Sequence, residues 1–124
     1  MDKKVFFLVF IGSGLGGLLR FSISRFLANY YPFFPLGTLI VNLLGMFLIG
    51  LFTVWFIDKN LLNSPYREMV LVGILGGLTT FSSFGYEAFL LLRDARWYAF
   101  FLYLGGNILV GFLLLTLGRY FGEL

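Results

Sequence analysis

The chain has 124 residues, of which 60% are hydrophobic and 12% are charged, and its formal net charge is +3. This apolar share, with a mean hydropathy of +0.94, is far above that of a soluble domain, so the composition predicts an integral membrane protein. The sequence has no cysteine and no histidine, which excludes disulfides, thiolate and imidazole metal ligands and a histidine general base, and therefore most enzyme chemistry.

The hydrophobic pattern predicts an all-α membrane protein with four transmembrane helices. We place them at about 4–28, 36–57, 66–93 and 96–120, within one domain that covers residues 1–124. The second stretch has no charged residue and is long enough to cross a hydrocarbon core of about 30 Å. Short loops rich in proline, tyrosine or charge separate the helices, as is typical of a membrane surface.

The first helix carries small residues and two arginines. Gly12 and Gly16 stand four residues apart, a spacing that lets two helix backbones approach closely. Arg20 follows them, and a guanidinium at that depth needs water or a partner. An arginine that lines a vestibule draws anions towards it by its electric field. For Arg25 we favour a side chain that extends to the membrane interface.

On the second helix, Thr38, Asn42 and Gly45 share one face by their spacing. Asn42 places an amide with two hydrogen-bond donors near the middle of the membrane. An asparagine in this position either bonds neighbouring helices together or lines a pathway, and the sequence leaves both open.

The third helix contains the stretch GILGGLTTFSSF at 73–84. Glycines lack the side chain that favours a helix, and Thr and Ser hydroxyls compete for backbone hydrogen bonds, so we expect the helix to break between Gly76 and Thr80, near the midplane. Non-helical backbone at membrane depth persists only where it meets protein, an ion or water. The break is therefore a candidate functional site.

Two neighbouring faces follow this stretch. Thr80, Ser83 and Glu87 form a polar line, and Phe81 and Phe84 form an aromatic one. The edge of a phenyl ring is positive, so two edge-on rings could contact a small anion, although ordinary packing is the alternative. Glu87 either serves conduction or reaches the interface with its carboxylate.

The fourth helix has a stripe of Tyr103, Asn107 and Gly111, which pairs with Glu87 or lines a polar track.

The positive charges show almost no side preference, so two copies inserted in opposite directions are expected, and an antiparallel homodimer is a hypothesis from charge counting. Five lie on one side of the predicted membrane and four on the other: Lys3, Lys4, Lys59, Arg67 and Arg119, against Arg20, Arg25, Arg93 and Arg96.

Three motifs carry a resemblance to a known family. They are GSGLGGLLRF at 12–21, GTLIVNLLGMFLIG at 37–50 and the stretch at 73–84 already described. With these motifs the chain resembles, over nearly its whole length, the small bacterial fluoride channels of the Fluc/CrcB family. Asn107 is a departure, since the family often has serine there.

The resemblance implies a dual-topology antiparallel homodimer with two fluoride pores in the bacterial inner membrane, where fluoride leaves the cytoplasm passively. It also implies one structural Na⁺ at the dimer interface, held by the backbone carbonyls of Gly76 and Thr79 from both subunits. Arg20 would lie in the vestibule. The residues implied for the pore are Asn42, Phe81, Phe84, Thr38, Ser83, Tyr103, Glu87 and Asn107.

Two rival functions remain at this point. A small multidrug-type proton-coupled antiporter has a similar size and topology, but it requires an acid in the first helix, and none occurs between Val5 and Ala28. A noncatalytic packing subunit would use the intramembrane polar groups only to hold helices together.

Overall fold

The computed structural model describes residues 2–124, which form four long helical spans. All four are long and apolar enough to cross a membrane, which confirms the predicted all-helical architecture, and their ends lie within a few residues of the predicted ones. They are α1 (Lys3–Tyr30), α2 (Leu36–Asp58), α3 (Tyr66–Arg93) and α4 (Trp97–Glu123).

Local signals set the ends of the helices. Asp2 caps α1, since its Oδ1 accepts a hydrogen bond of 2.9 Å from the Lys4 backbone N–H. Pro35 immediately precedes α2, where the missing N–H of a proline costs no helical hydrogen bond. Asn60 and Ala95 have positive φ angles of 54° and 56° and reverse the chain between α2 and α3 and between α3 and α4.

Three of the helices include wider turns. The backbone is π-helical at Val54–Asp58 in α2, at Met69–Ile74 in α3 and at Gly106–Val110 in α4. Such turns are rare and are found mostly at functional positions in longer helices. The last of them carries Asn107, one of the residues predicted for the pore.

The helical path of α3 is not uniform. Residues Leu75–Leu78 are α-helical, so Gly76 and Gly77, where the sequence suggested that the break begins, still belong to a helix. Thr79 is extended, with φ −88° and ψ 156°, and the helix resumes at Ser82. We refer to residues 79–81 as the 79–81 segment.

Glycines let α1 and α3 pack with their backbones in contact. A Cβ atom added at Gly16 would lie 2.1 Å from the Ile74 carbonyl oxygen, and one added at Gly12 would lie 2.5 Å from that of Met69. The close packing expected from the spacing of Gly12 and Gly16 is thus present in the fold. It fixes the first part of α3, up to the 79–81 segment, against α1.

The same device joins α2 to α4. A Cβ atom at Gly50 would lie 2.2 Å from the Leu115 carbonyl oxygen, and one at Gly118 would lie 2.1 Å from that of Phe47. The second part of α3 packs on the start of α4, where Phe84, Ala88, Leu91 and Tyr103 form a small buried cluster. Many large apolar side chains remain exposed on the outside, as suits contact with lipid acyl chains.

The glycine contacts generate a paired prediction. We expect Gly16→Ala to lower the free energy of unfolding by about 1–3 kcal/mol, because its methyl group would overlap a backbone carbonyl that has no room to move. Gly14→Ala is the matched control, since nothing lies within 4 Å of its added Cβ atom. Thermal unfolding of the two variants in detergent measures the difference, and equal stability would contradict the packing.

Candidate functional site

The side chain of Asn42 holds the backbone of the 79–81 segment. Its Oδ1 accepts a hydrogen bond of 2.8 Å from the Thr80 N–H, and its Nδ2 donates one of 3.0 Å to the Thr80 carbonyl oxygen. The second Nδ2 hydrogen is donated to Asn107 Oδ1 at 2.8 Å. Asn42 and Asn107 are both buried, so the amide of Asn42 replaces the helical partners that Thr80 lacks.

This arrangement frees two backbone carbonyls of α3 from helical bonding. In a continuous α-helix the Thr80 N–H would bond to the oxygen of Gly76, and the Ser83 N–H to that of Thr79. Here the Thr80 N–H is donated to Asn42, and the Ser83 N–H is donated to Thr80 Oγ1 at 3.1 Å. The carbonyl oxygens of Gly76 and Thr79 are thereby left without their helical donors.

A second set of hydrogen bonds surrounds the carboxylate of Glu87. Thr38 Oγ1 donates to Glu87 Oε1 at 2.9 Å, and the Tyr103 hydroxyl donates to Glu87 Oε2 at 2.5 Å. Asn107 Nδ2 donates to the Tyr103 carbonyl oxygen at 3.0 Å. The two sets of hydrogen bonds meet at Tyr103, whose backbone carbonyl accepts from Asn107 and whose hydroxyl donates to Glu87.

Aromatic rings run alongside this network. The ring centroids of Phe81 and Phe84 are 5.7 Å apart at an interplanar angle of 48°, and those of Phe84 and Tyr103 are 5.5 Å apart at 57°. Phe84 is only 6% exposed, whereas Phe81 is 83% exposed. The aromatic line thus begins at the surface of the chain and leads inward to Tyr103.

Two cavities lie at the ends of these lines. The large cavity, of about 640 Å³, opens beside the 79–81 segment, and its lining includes Asn42, Gly76, Thr79, Phe81 and Phe84. It therefore gathers the asparagine, the released carbonyls and the ring pair in one place.

The small cavity, of about 320 Å³, lies at the start of α2. Thr38, Glu87 and Arg25 are among the residues that line it. Tyr103 lies between the two cavities, because its ring contacts Phe84 of the large cavity and its hydroxyl donates to Glu87 of the small one.

Three predicted site residues line neither cavity. Arg20 is half-buried, and its Nε donates a hydrogen bond of 3.0 Å to the Gly77 carbonyl oxygen at the end of the first part of α3. Tyr103 is completely buried between the cavities. Ser83 lies next to Thr80 and donates its backbone N–H to Thr80 Oγ1. Asn107 lines the large cavity.

Sequence reasoning missed two features of this region. It treated Thr80 only as part of a polar line, whereas its backbone is the group that Asn42 binds. It also did not identify Arg25, whose side chain is exposed, as a residue that lines the small cavity together with Glu87. The available signal was the five-residue spacing from Arg20, which turns Arg25 to a different face of α1.

Comparison with known protein families shows which family the chain belongs to. The family model described as CrcB-like protein, Camphor Resistance (CrcB), matches residues 7–119. The chain belongs to this CrcB-like family.

Named relatives of the CrcB-like chain agree with that assignment. A protein of Aquifex aeolicus called fluoride-specific ion channel FluC is 41% identical over 120 residues, which cover 96% of this chain and 97% of the relative. A protein of Pyrococcus horikoshii with the same name is 42% identical over 118 residues, which cover 95% of each. A third, from Hydrogenobaculum, is 37% identical over 116 residues, with 94% and 95% covered.

The family assignment confirms the resemblance inferred from the three motifs. Together with the four long apolar helices, it identifies the chain as a multi-pass membrane protein, as predicted. The names of the relatives describe an ion channel and neither an enzyme nor a multidrug antiporter, so the antiporter alternative is not favoured.

The clamp on Thr80 leads to a stability prediction. We expect Asn42→Ala to lower the free energy of unfolding by about 1–3 kcal/mol, because the half-buried N–H and C=O of Thr80 would lose their partners. Thr116→Ala is the control, since the Thr116 hydroxyl bonds only to the Phe112 carbonyl of its own helix. Thermal unfolding in detergent tests the pair, and a wild-type midpoint for Asn42→Ala would refute the clamp.

Proposed function

We propose that this chain is the subunit of a fluoride-selective channel that conducts fluoride passively out of the cytoplasm. The observation that carries the proposal is the row of aromatic rings and hydrogen-bonding groups that lies between the large cavity, lined by Phe81 and Asn42, and the small cavity, lined by Glu87 and Thr38. The printed function of the relatives, a fluoride-specific ion channel, supports the choice of ion.

Fluoride is small and strongly hydrated, and an unpaired ion in a low-dielectric medium costs tens of kcal/mol, so a pore must replace the water it removes. Ring edges provide one replacement, because they carry the positive part of the quadrupole. The rings of Phe81 and Phe84 both line the large cavity, and in this proposal their edges contact the ion.

Amide and hydroxyl donors provide the other replacement, but in this structure they already have partners. Both Nδ2 hydrogens of Asn42 are donated to oxygen acceptors, and the hydroxyls of Thr38 and Tyr103 are donated to Glu87. Fluoride therefore passes by exchange, taking a donor from an internal oxygen and returning it when it leaves. A small, strongly accepting anion suits this exchange, and the larger chloride suits it less, which favours fluoride.

We further propose that two copies assemble as an antiparallel, dual-topology homodimer with two pores. Phe81, which is 83% exposed, and Phe112, which is 67% exposed, both line the large cavity, so its open side is wide, apolar and without a cover in one chain. A second copy would cover these rings and close each pore. The near balance of positive charge between the two sides supports opposite insertion.

A structural Na⁺ at the centre of the dimer fits the residues present. The carbonyls of Gly76 and Thr79 have lost their helical donors, and both residues line the large cavity that faces the partner. Oxygen atoms are the ligands that hard cations prefer, and two oxygens from each of two copies would contribute four. When bound, the ion would balance the carbonyl dipoles that the interrupted helix leaves exposed. In this proposal the interruption of α3 provides the carbonyl oxygens that bind the cation.

The ring pair provides the main functional test. We expect Phe81→Ile to reduce fluoride efflux from proteoliposomes roughly tenfold or more, because it removes a ring edge from the wall of the pore and adds no donor. Phe89→Ile is the matched control, as Phe89 is also an exposed phenylalanine on α3 but lines neither cavity.

Fluoride efflux is measured with a fluoride electrode and compared with chloride efflux from the same vesicles. Wild-type protein that releases fluoride no faster than chloride would refute the channel. Equal efflux from the two phenylalanine variants would remove Phe81 from the pore.

Removal of Na⁺ tests the cation separately. We expect replacement of Na⁺ by N-methylglucamine to lower the unfolding temperature of the dimer and to slow fluoride efflux, because an ion that binds only the folded state stabilises it by about 2.7 kcal/mol at a hundredfold excess over its Kd. Replacing chloride by gluconate at constant Na⁺ is the control and leaves both quantities unchanged. An unfolding temperature that is independent of Na⁺ would contradict the site.

A further inference from the structure

The small cavity is lined by a basic and an acidic residue, and the proposed pathway gives no role to the basic one. Its lining contains one basic side chain, Arg25, and one acidic side chain, Glu87. Thr38, which donates its hydroxyl to Glu87, lines the same cavity. The cavity therefore reaches the hydrogen bonds that surround Glu87.

Glu87 presents an obstacle to an anion at this end. Both of its oxygens accept hydrogen bonds from neutral hydroxyls, those of Thr38 and Tyr103. A fluoride ion that enters or leaves beside it meets two oxygen acceptors, which repel an anion and offer it no hydrogen bond. A cation in the same cavity offsets that repulsion.

Arg25 is the cation available for this purpose. A guanidinium stays protonated at any physiological pH. Its Cζ atom lies 5.9 Å from the ring centroid of Phe21, which lines the same cavity and holds the group beside it. The first turn of α2 also lines the cavity and adds positive partial charge from its backbone N–H groups.

The other arginines at this end of the molecule have partners elsewhere. Arg93 forms an ion pair of 2.9 Å with Asp94, and Arg96 donates a hydrogen bond to the Phe33 carbonyl oxygen. Neither lines the small cavity. Arg25 is set apart from them by its position in the wall of the small cavity, and within residues 2–124 it forms no salt bridge.

We propose that Arg25 sets the positive potential at the Glu87 end of each pore and draws fluoride past Glu87 to the hydroxyl of Thr38. This inference rests on the proposed channel function and adds to it a second electropositive entrance, distinct from Arg20, which bonds to Gly77 and lines neither cavity. Arg25 acts by long-range attraction and contributes no bond to the rings.

Electrostatic attraction has a signature that a structural role lacks, because salt screens it. The Debye length falls from about 30 Å at about 0.01 M ionic strength to about 3 Å at about 1 M. We expect Arg25→Gln to reduce fluoride efflux from proteoliposomes about three- to tenfold at the low ionic strength and to match wild type at the high one. Potassium isethionate adjusts the ionic strength at constant fluoride.

Two variants serve as controls. Arg25→Lys keeps the charge and retains most of the wild-type efflux. Arg93→Gln removes an arginine at the same end of the molecule that lines neither cavity, and it leaves efflux unchanged. Elution of each variant as the wild-type dimer in size-exclusion chromatography shows that it is folded.

The outcomes separate the two proposals. Arg25→Gln efflux equal to wild type at low ionic strength, or reduced equally at both ionic strengths, overturns the role of Arg25 while the channel function stands. Wild-type protein without fluoride efflux overturns the channel function itself.

Discussion

The fold depends on the hydrogen bonds between the side-chain amide of Asn42 and the backbone of Thr80. They replace the backbone donor and acceptor that Thr80 would have in a continuous helix. In a medium without water each unpaired backbone group costs several kcal/mol, so a non-helical segment survives only with such a partner. The same amide also bonds to Asn107 and so ties α2, α3 and α4 together at one buried point. The amide of Asn42 therefore both stabilises the fold and takes part in the proposed conduction of fluoride.

Packing of glycines prepares this arrangement. The first part of α3 lies against α1 with their backbones in contact, and α2 lies against α4 in the same way. These contacts position α3 on α1 and α2 on α4. The hydrogen bonds between Asn42 and Thr80 and from Thr38 to Glu87 join α2 to α3. The π-helical turn at Gly106–Val110 carries Asn107 to the same point. Rigid surroundings of this kind suit a pathway in which donors exchange partners over short distances.

Much of this could be predicted from the sequence. Runs of apolar residues determine the four helices, because a helix satisfies its backbone bonds within itself and needs only length and hydrophobicity to cross a membrane. Periodicity also placed Thr38 and Asn42 on one face of α2, and both are buried there. The motifs at 12–21, 37–50 and 73–84 were sufficient to recognise the family.

The hydrogen-bond partners of the polar side chains could not be predicted from the sequence. Asn42 and Thr80 are 38 residues apart, so their contact depends on how the helices pack and not on local pattern. Sequence reasoning places the break between Gly76 and Thr80, but it could not show that Gly76 and Gly77 stay helical and that the extended residue is Thr79. The glycines of this stretch allow α3 to pack closely against α1. Their presence does not determine where the helical hydrogen bonds end.

The carbonyl of Gly76 provides the most direct test of the account, because its release from helical bonding follows from the Asn42 clamp and its use by a cation follows from the proposal. Glycine labelled with ¹³C at the carbonyl and ¹⁵N at the amide reports only consecutive glycine pairs, which occur at 16–17, 76–77 and 105–106. In solid-state NMR of reconstituted protein, the account predicts that replacing Na⁺ by N-methylglucamine shifts the Gly76 carbonyl signal and leaves those of Gly16 and Gly105 in place. A Gly76 signal at an ordinary helical position that does not respond to Na⁺ would contradict it.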